Sequence, residues 1–328
     1  MPSAIVSNAL SAAQRGDIVG AARMLEIGAA GGDGEAAFVL AEWRLAGTAI
    51  RRDLGEARRF YGRAAELGIA EADAIYTALL ANGAGGNPRD WESALNRVRQ
   101  QARHDPLVRA ERDLIEAMDL DPDGNPAVLP QTHLLNSTPA IRTVKGLLTP
   151  AECRFLARVA EADLQKAIVI DPRTGQARRH PIRTAESAGY PFVRERPVLH
   201  AINRRIAAVT GTSYEQGEPT QILSYRPGQE YRLHSDAIAN EANQRIATVL
   251  VCLKDDFEGG ETVFPRLGLA WRGATGDALH FLNVDRTLQP EPLAWHAGTP
   301  VTSGHKIMLS KWVRARPLDL SGPPGRPL

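Results

Sequence analysis

The chain is predicted to be α+β: an all-α helical-repeat domain followed by a double-stranded β-helix, the jelly roll. Three observations predict it. The N-terminal third is rich in Ala and Gly and repeats about every 36 to 37 positions. A capping box and an amphipathic run then mark two supporting helices. After Gly211 short apolar and β-branched runs alternate with Pro-Gly and Gly-Gly turns.

The totals are compatible with that plan. A length of 328 residues allows two domains. Hydrophobic content of 43% with 23% charged residues is ordinary for a chain with a sizeable core. A formal charge of +1 argues against nucleic acid as the main partner. Cys153 and Cys252 are isolated, which reads as two reduced, buried thiols. Residues 1–16 lack a basic stretch followed by an apolar run, so no signal peptide is expected. No run of about 18 apolar residues occurs, so no membrane span is expected and the reading is cytoplasmic.

The repeat runs over residues 1–103. Asp17-Ile18-x-x-Ala21, Asp53-Leu54-x-x-Ala57 and Asp90-Trp91-x-x-Ala94 recur, and Gly32 and Ala36 return as Gly68 and Ala72. Small residues at fixed offsets let helices approach closely, while Leu40, Trp43, Phe60, Tyr61 and Tyr76 supply apolar bulk. The segment resembles tetratricopeptide-related repeats of the Sel type. It could serve as a peptide-binding surface or only as a cap on the next domain.

Residues 104–140 read as a linker, because Asp121-Pro122-Asp123-Gly124-Asn125-Pro126, Pro130 and Pro139 are turn chemistry, with one short helix near 107–118. The second domain is expected over 141–316, with 317–328 as a tail. Thr149-Pro150-Ala151-Glu152 is a capping box with Pro at the first helical position. Val198, Ile202, Ile206 and Val209 share one face of a helix over roughly 196–210. Strands are expected over 220–225, 246–253, 278–282 and 306–313.

The chemistry is carried by His234-Ser235-Asp236, by His296 about 60 residues later, and by Lys306 ten positions beyond. Two imidazoles and a carboxylate hold non-haem Fe(II) on one face and leave the opposite face open. In a strand, residues i and i+2 point to one side, so His234 and Asp236 can face one cavity. Lys306 offers a cation for the far end of a dicarboxylate co-substrate. The pattern points to an iron- and 2-oxoglutarate-dependent oxygenase.

The surrounding residues sharpen this. Tyr225-Arg226-Pro227-Gly228-Gln229-Glu230-Tyr231-Arg232-Leu233-His234-Ser235-Asp236 resembles the first metal-ligand strand of prolyl 4-hydroxylase-type oxygenases. Arg245-Ile246-Ala247-Thr248-Val249-Leu250, Glu258-Gly259-Gly260-Glu261-Thr262, and His296-Ala297-Gly298 with Gly304-His305-Lys306 resemble later segments of that family, in order over 141–316. The resemblance implies that His234, Asp236 and His296 bind Fe(II). It implies that Lys306 pairs with the distal carboxylate of 2-oxoglutarate, that Tyr225 reaches it through its hydroxyl, and that Thr248 lines its pocket. Dioxygen would be the oxidant and ascorbate the supporting reductant. Arg183, Tyr231 and Trp295 are candidate substrate contacts.

Some positions depart from the family pattern. Cys252 stands where members often carry tyrosine, Ile307 where they often carry Trp, and Trp295 replaces a smaller aliphatic residue. These changes surround the pocket and put the substrate in doubt. The polar stretch Asp171–His180 and the segment Asn240–Gln244 are candidate closing loops. A protein or peptide side chain is the expected substrate, with prolyl 4-hydroxylation preferred over another residue type or a small molecule. A non-catalytic scaffold that works through its helical repeats is the alternative from another class. The sequence leaves the oligomeric state open.

Overall fold

The computed structural model describes residues 2–166, 168–170, 177–179 and 182–320. The chain divides into two compact units. One comprises Met1–Arg112 with Phe192–His200 and the segment from Asp319; the other comprises Asp113–Pro191 and Ala201–Leu318.

The helical unit begins with α1 (Ala4–Gln14), α2 (Ile18–Ala30), α3 (Gly34–Ala46), α4 (Leu54–Glu66), α5 (Ala70–Asn82) and α6 (Trp91–Gln101), each packed on the one before it. The recurring aspartates have a local cause. Asp17, Asp53 and Asp90 are the N-caps of α2, α4 and α6, and accept the backbone N–H of Gly20, Glu56 and Ser93. Each such cap stabilises its helix by roughly 1 kcal/mol. The period is therefore a period of helix starts. The intervening α3 and α5 stop on Gly47 and Gly83 in the left-handed conformation. A Cβ on Gly62 would come within 2.9 Å of the Tyr76 ring, so α4 and α5 meet closely because this residue is glycine. Leu25, Leu40, Phe60 and Tyr61 fill the core between the helices.

Helix α7 (Pro106–Ala117) follows, and α8 (Pro150–Glu161) and α9 (Pro197–Thr210) come later in the chain. The α8 capping box forms in both directions, between Thr149 and Glu152. Glu152 also accepts two hydrogen bonds from Arg205 at 2.9 Å, a bidentate tie between α8 and α9.

The strands, in chain order, begin with β1 (Thr132–Ser137), β2 (Ala140–Val144), β3 (Gln165–Lys166), β4 (Ile168–Ile170), β5 (Ala177–Arg179) and β6 (Glu186–Tyr190). Then come β7 (Thr220–Tyr225), β8 (Tyr231–His234), β9 (Arg245–Lys254), β10 (Phe257–Gly259) and β11 (Thr262–Phe264). The last are β12 (Leu269–Trp271), β13 (Ala278–Leu282), β14 (His296–Gly298), β15 (Val301–Gly304) and β16 (Lys306–Arg314). The major sheet runs β1-β2-β13-β9-β16-β7-β6-β3 and the minor sheet β12-β11-β14-β8. Between them lies an apolar core of Leu223, Phe257, Phe264, Trp271, Leu279, Phe281 and Met308. This is the jelly roll, with α8 packed on β9 and β7.

Register decides what faces that core. Phe281 pairs with Thr248 and Thr248 with Trp312; Leu250 pairs with Ser310 and Ser310 with Gln221; Lys306 pairs with Tyr225. Side chains opposite one another share a face, so residues far apart in sequence stand in rows on the inner surface.

Residues 104–140 depart from the linker expectation by carrying β1, the outer strand of the major sheet. Nearly all of β1 is exposed, so it lacks the in-out alternation that marks a strand in sequence. The expected loop Asp171–His180 lies outside the described residues apart from Ala177–Arg179, as does the tail beyond Leu320.

Candidate active site

Strands β8 and β14 are neighbours in the minor sheet, and their register sets His296 directly opposite His234. The imidazole centroids are 4.3 Å apart. Asp236 lies past the end of β8, in a bend, and not on the strand as the i, i+2 argument supposed. The bend still brings its carboxylate between the two rings: Oδ1 is 3.7 Å from His234 Nε2, and Oδ2 is 3.6 Å from His296 Nε2. Among the described residues, this is the one group of three such side chains whose ligating atoms all lie within 4.8 Å.

The surroundings prepare these groups for a cation. His234 Nδ1 lies 2.7 Å from Arg232 O, and His296 Nδ1 lies 3.0 Å from Ala294 O. A carbonyl only accepts, so each Nδ1 carries the proton and each Nε2 presents its lone pair. Burial pushes the Asp236 pKa up, but the attraction of His296 and then His234, which those rings exert when a proton takes the place of the metal, outweighs it together with a hydrogen bond from Thr248. The carboxyl is held below the usual range. Two neutral imidazoles and one carboxylate, buried and converging, fit Fe(II) and leave coordination positions open for small ligands.

A pocket opens beside the cluster. His234, Asp236 and His296 line it together with Lys306, Tyr225 and Tyr231, and Leu250, Met308 and Trp312 supply apolar wall. Lys306 starts β16 and is 5% exposed. Its Nζ donates to Gly260 O at 2.6 Å and sits 5.1 Å from the Tyr225 ring centroid. Burial draws its pKa down to about 8. Burial also raises the Tyr225 pKa, so its hydroxyl stays protonated. An ammonium and a phenol thus line the same pocket as the three ligating residues, a set of groups suited to a small dicarboxylate.

The remaining expected residues divide. Tyr231 stacks on His234 at 3.6 Å, and Arg183 lies over Tyr231 at 5.6 Å while donating to Gln221 Oε1 at 3.1 Å. Tyr231 borders the ligand cluster, and Arg183 lies behind it. Thr248 differs from expectation: its hydroxyl is engaged with Asp236 at 2.7 Å, so it supports a ligand and does not line the pocket. Trp295 is half-buried under Arg266, 5.4 Å from the ring, and does not line the pocket either. Trp295 closes the short helical turn Pro292–Ala294, just before β14 begins at His296. The segment Asn240–Gln244 is tied at its base by Gln244, which accepts from Ile238 N and donates to Ile238 O.

Sequence reasoning missed Asn283, which donates to Thr248, and gave no role to Glu218 of the family-like Glu218-x-x-Gln221, whose carboxylate holds Arg245 and Arg314. Arg245 in turn covers the Trp312 ring at 4.2 Å. The pairing of Thr248 with Trp312 and of Phe281 with Thr248 was the only available signal, and it needs the register.

Residues 220–314 match the 2OG-Fe(II) oxygenase superfamily. Prolyl 4-hydroxylase 1 of Arabidopsis thaliana is 34% identical over 203 residues, covering 56% of this chain and 72% of that protein. Probable prolyl 4-hydroxylase 4 of the same plant is 30% identical over 221 residues, covering 60% and 73%. A viral collagen prolyl hydroxylase from Paramecium bursaria Chlorella virus-1, solved as its 2OG complex, is 28% identical with a TM-score of 0.44, covering 54% of this chain and 96% of that one.

Proposed function

The chain belongs to the prolyl 4-hydroxylase family of 2OG-Fe(II) oxygenases, and from that premise we propose that it hydroxylates prolyl residues of a protein or peptide. The observation that carries the reading is one pocket in which His234, Asp236 and His296 converge and which a buried Lys306 also lines. The enzyme uses Fe(II) and 2-oxoglutarate, with dioxygen as oxidant and ascorbate as the reductant that keeps the metal ferrous.

His234 Nε2, His296 Nε2 and the Asp236 carboxylate would hold the iron. When bound there, iron supplies oxidative decarboxylation of 2-oxoglutarate to succinate and carbon dioxide, coupled to hydroxylation of a C–H bond. The chain does the rest. Lys306 binds the distal carboxylate through a charge-assisted hydrogen bond, in a wall too apolar for water to compete well. Tyr225 donates its hydroxyl proton to the same group. Leu250, Met308 and Trp312 exclude water around the reacting carbon. Tyr231, stacked on His234, and Arg183, over the Tyr231 ring, would orient the peptide; Trp295 could reach it only from outside the pocket.

This activity is assigned to the domain over residues 141–316, which holds every residue of the site. The helix pairs over residues 1–103 are proposed as Sel-type repeats, supported by the recurring caps Asp17, Asp53 and Asp90. The described residues include no helix long and apolar enough to cross a membrane. A cytoplasmic location is supported by the two free, buried cysteines.

The test is succinate release with Fe(II), ascorbate and 2-oxoglutarate, with and without a proline-rich peptide. Peptide-stimulated turnover that Asp236→Ala abolishes is the expected result. Turnover that no proline peptide stimulates would discard the prolyl substrate, and wild-type protein without turnover would discard the catalytic reading.

A further inference from the structure

Asn283 follows β13, is 1% exposed, and has no part in the reading above. Its Nδ2 donates to Thr248 Oγ1 at 2.9 Å, and Thr248 Oγ1 donates to Asp236 Oδ2 at 2.7 Å. The order of these two bonds is fixed by chemistry. A threonine hydroxyl has one proton, and a carboxylate can only accept. The proton therefore goes to Asp236, and the Oγ1 lone pair faces the amide N–H. Asn283 Oδ1, 3.3 Å from Oγ1, receives nothing from it. Reversing the amide would set two oxygens against each other in a buried site.

The main chain of Asn283 reaches further. Its N–H donates to Ile246 O at 2.9 Å, on the strand that carries Thr248. Its carbonyl accepts from Glu291 N at 2.9 Å, and Glu291 O accepts from Ala294 N at 3.0 Å. Ala294 O is the acceptor that orients His296. One residue thus ties the Asp236 support to the segment that presents His296, across the major and minor sheets.

We infer that Asn283 is a positioning residue of the metal centre, acting through Thr248 to fix the Asp236 carboxylate. Without the amide, the Thr248 hydroxyl can turn away, and without the hydroxyl the carboxylate can rotate about its own terminal bond. Either change spreads the ligating atoms over several arrangements before metal binds, which weakens binding while leaving the fold intact. The inference rests on His234, Asp236 and His296 being the ligands.

The experiment titrates the full-length protein with Co(II), read by its visible absorption and by calorimetry, beside the thermal midpoint of the metal-free protein. Asn283→Leu, of similar volume, and Thr248→Val should each raise the Co(II) Kd by roughly 10- to 100-fold. Because both act on one hydrogen-bonded path, the double variant should be no weaker than the weaker single one. Thr248→Ser keeps the hydroxyl and should bind close to wild type. Asn283→Ala carries the same prediction should the leucine disturb the fold.

A wild-type Kd in the Asn283 variants, with or without a lowered midpoint, would overturn the inference. So would losses that multiply in the double variant. Wild-type protein that binds no Co(II), or binding untouched by Asp236→Ala, would instead remove the ligand assignment itself.

Discussion

Replacing Lys306 with methionine should stabilise the protein while removing its hold on 2-oxoglutarate. The ammonium is 5% exposed, and no carboxylate among the described residues bonds it; its hydrogen bond goes to a neutral carbonyl, Gly260 O, at 2.6 Å. Burial lowers its pKa from 10.5 to about 8. Below pH 8 the group is charged in both states, and the folded state bears the whole penalty. As pH rises from 8 to 10.5 the folded lysine is neutral first and the penalty fades. At ~1.4 kcal/mol per pKa unit, that shift destabilises the fold by about 3 kcal/mol near neutral pH. Methionine fills similar space without a charge. It leaves Gly260 O without this donor, a loss of about 1 kcal/mol, the low end for a buried acceptor that loses its partner. The net gain is roughly 2 kcal/mol, or a rise of about 4–8 °C in Tm. A lost charge-assisted bond of ~1.5–3 kcal/mol should raise the 2-oxoglutarate KM by roughly 10- to 150-fold. Thermal melting of the metal-free protein and succinate release at varied 2-oxoglutarate read the two effects. A lowered Tm, or an unchanged KM, would refute the reasoning.

Two further predictions concern the fold around the site. Burial, and then Arg142 opposite it on β2, draws the His280 pKa down to about 4 from 6.5. The neutral ring is stable in the fold above pH 6.5, and that advantage of about 3 kcal/mol is lost as pH falls from 6.5 to 4. Urea unfolding at stepped pH should show the loss, and His280→Leu should flatten it over that window. Gly276 has φ +92, and a Cβ there would lie 2.1 Å from Leu148 O. Gly276→Ala should therefore cost more than about 3 kcal/mol, read as a lower urea midpoint, through backbone strain and a clash with main chain.

How far the sequence reaches depends on whether a residue's role is local. The Asp17, Asp53 and Asp90 caps act within three positions of themselves, so their period announces the helices. The strands that carry Lys306 and Thr248 are apolar runs between turns and were legible for the same reason. His234, Asp236 and His296 were legible as residue types whose donor chemistry suits one metal, although a bend and not strand alternation delivers Asp236. Thr248 and Trp295 were misplaced because chain neighbourhood is not spatial neighbourhood. The register puts Thr248 behind a ligand, and Trp295, ahead of β14, lies under Arg266. Asn283 carries no local mark; its role exists only once β13 lies against β9 with Phe281 opposite Thr248. The exposed β1 shows no periodicity to read.

The most direct test of the central claim is turnover under heavy-isotope dioxygen, with a proline-rich peptide, 2-oxoglutarate and Fe(II), followed by mass spectrometry of both products. The account predicts one labelled oxygen atom in succinate and one in a hydroxylated prolyl residue, with both labels absent for Asp236→Ala. Label in succinate with every peptide proline unmodified would contradict the prolyl assignment, and label in neither product would contradict the oxygenase.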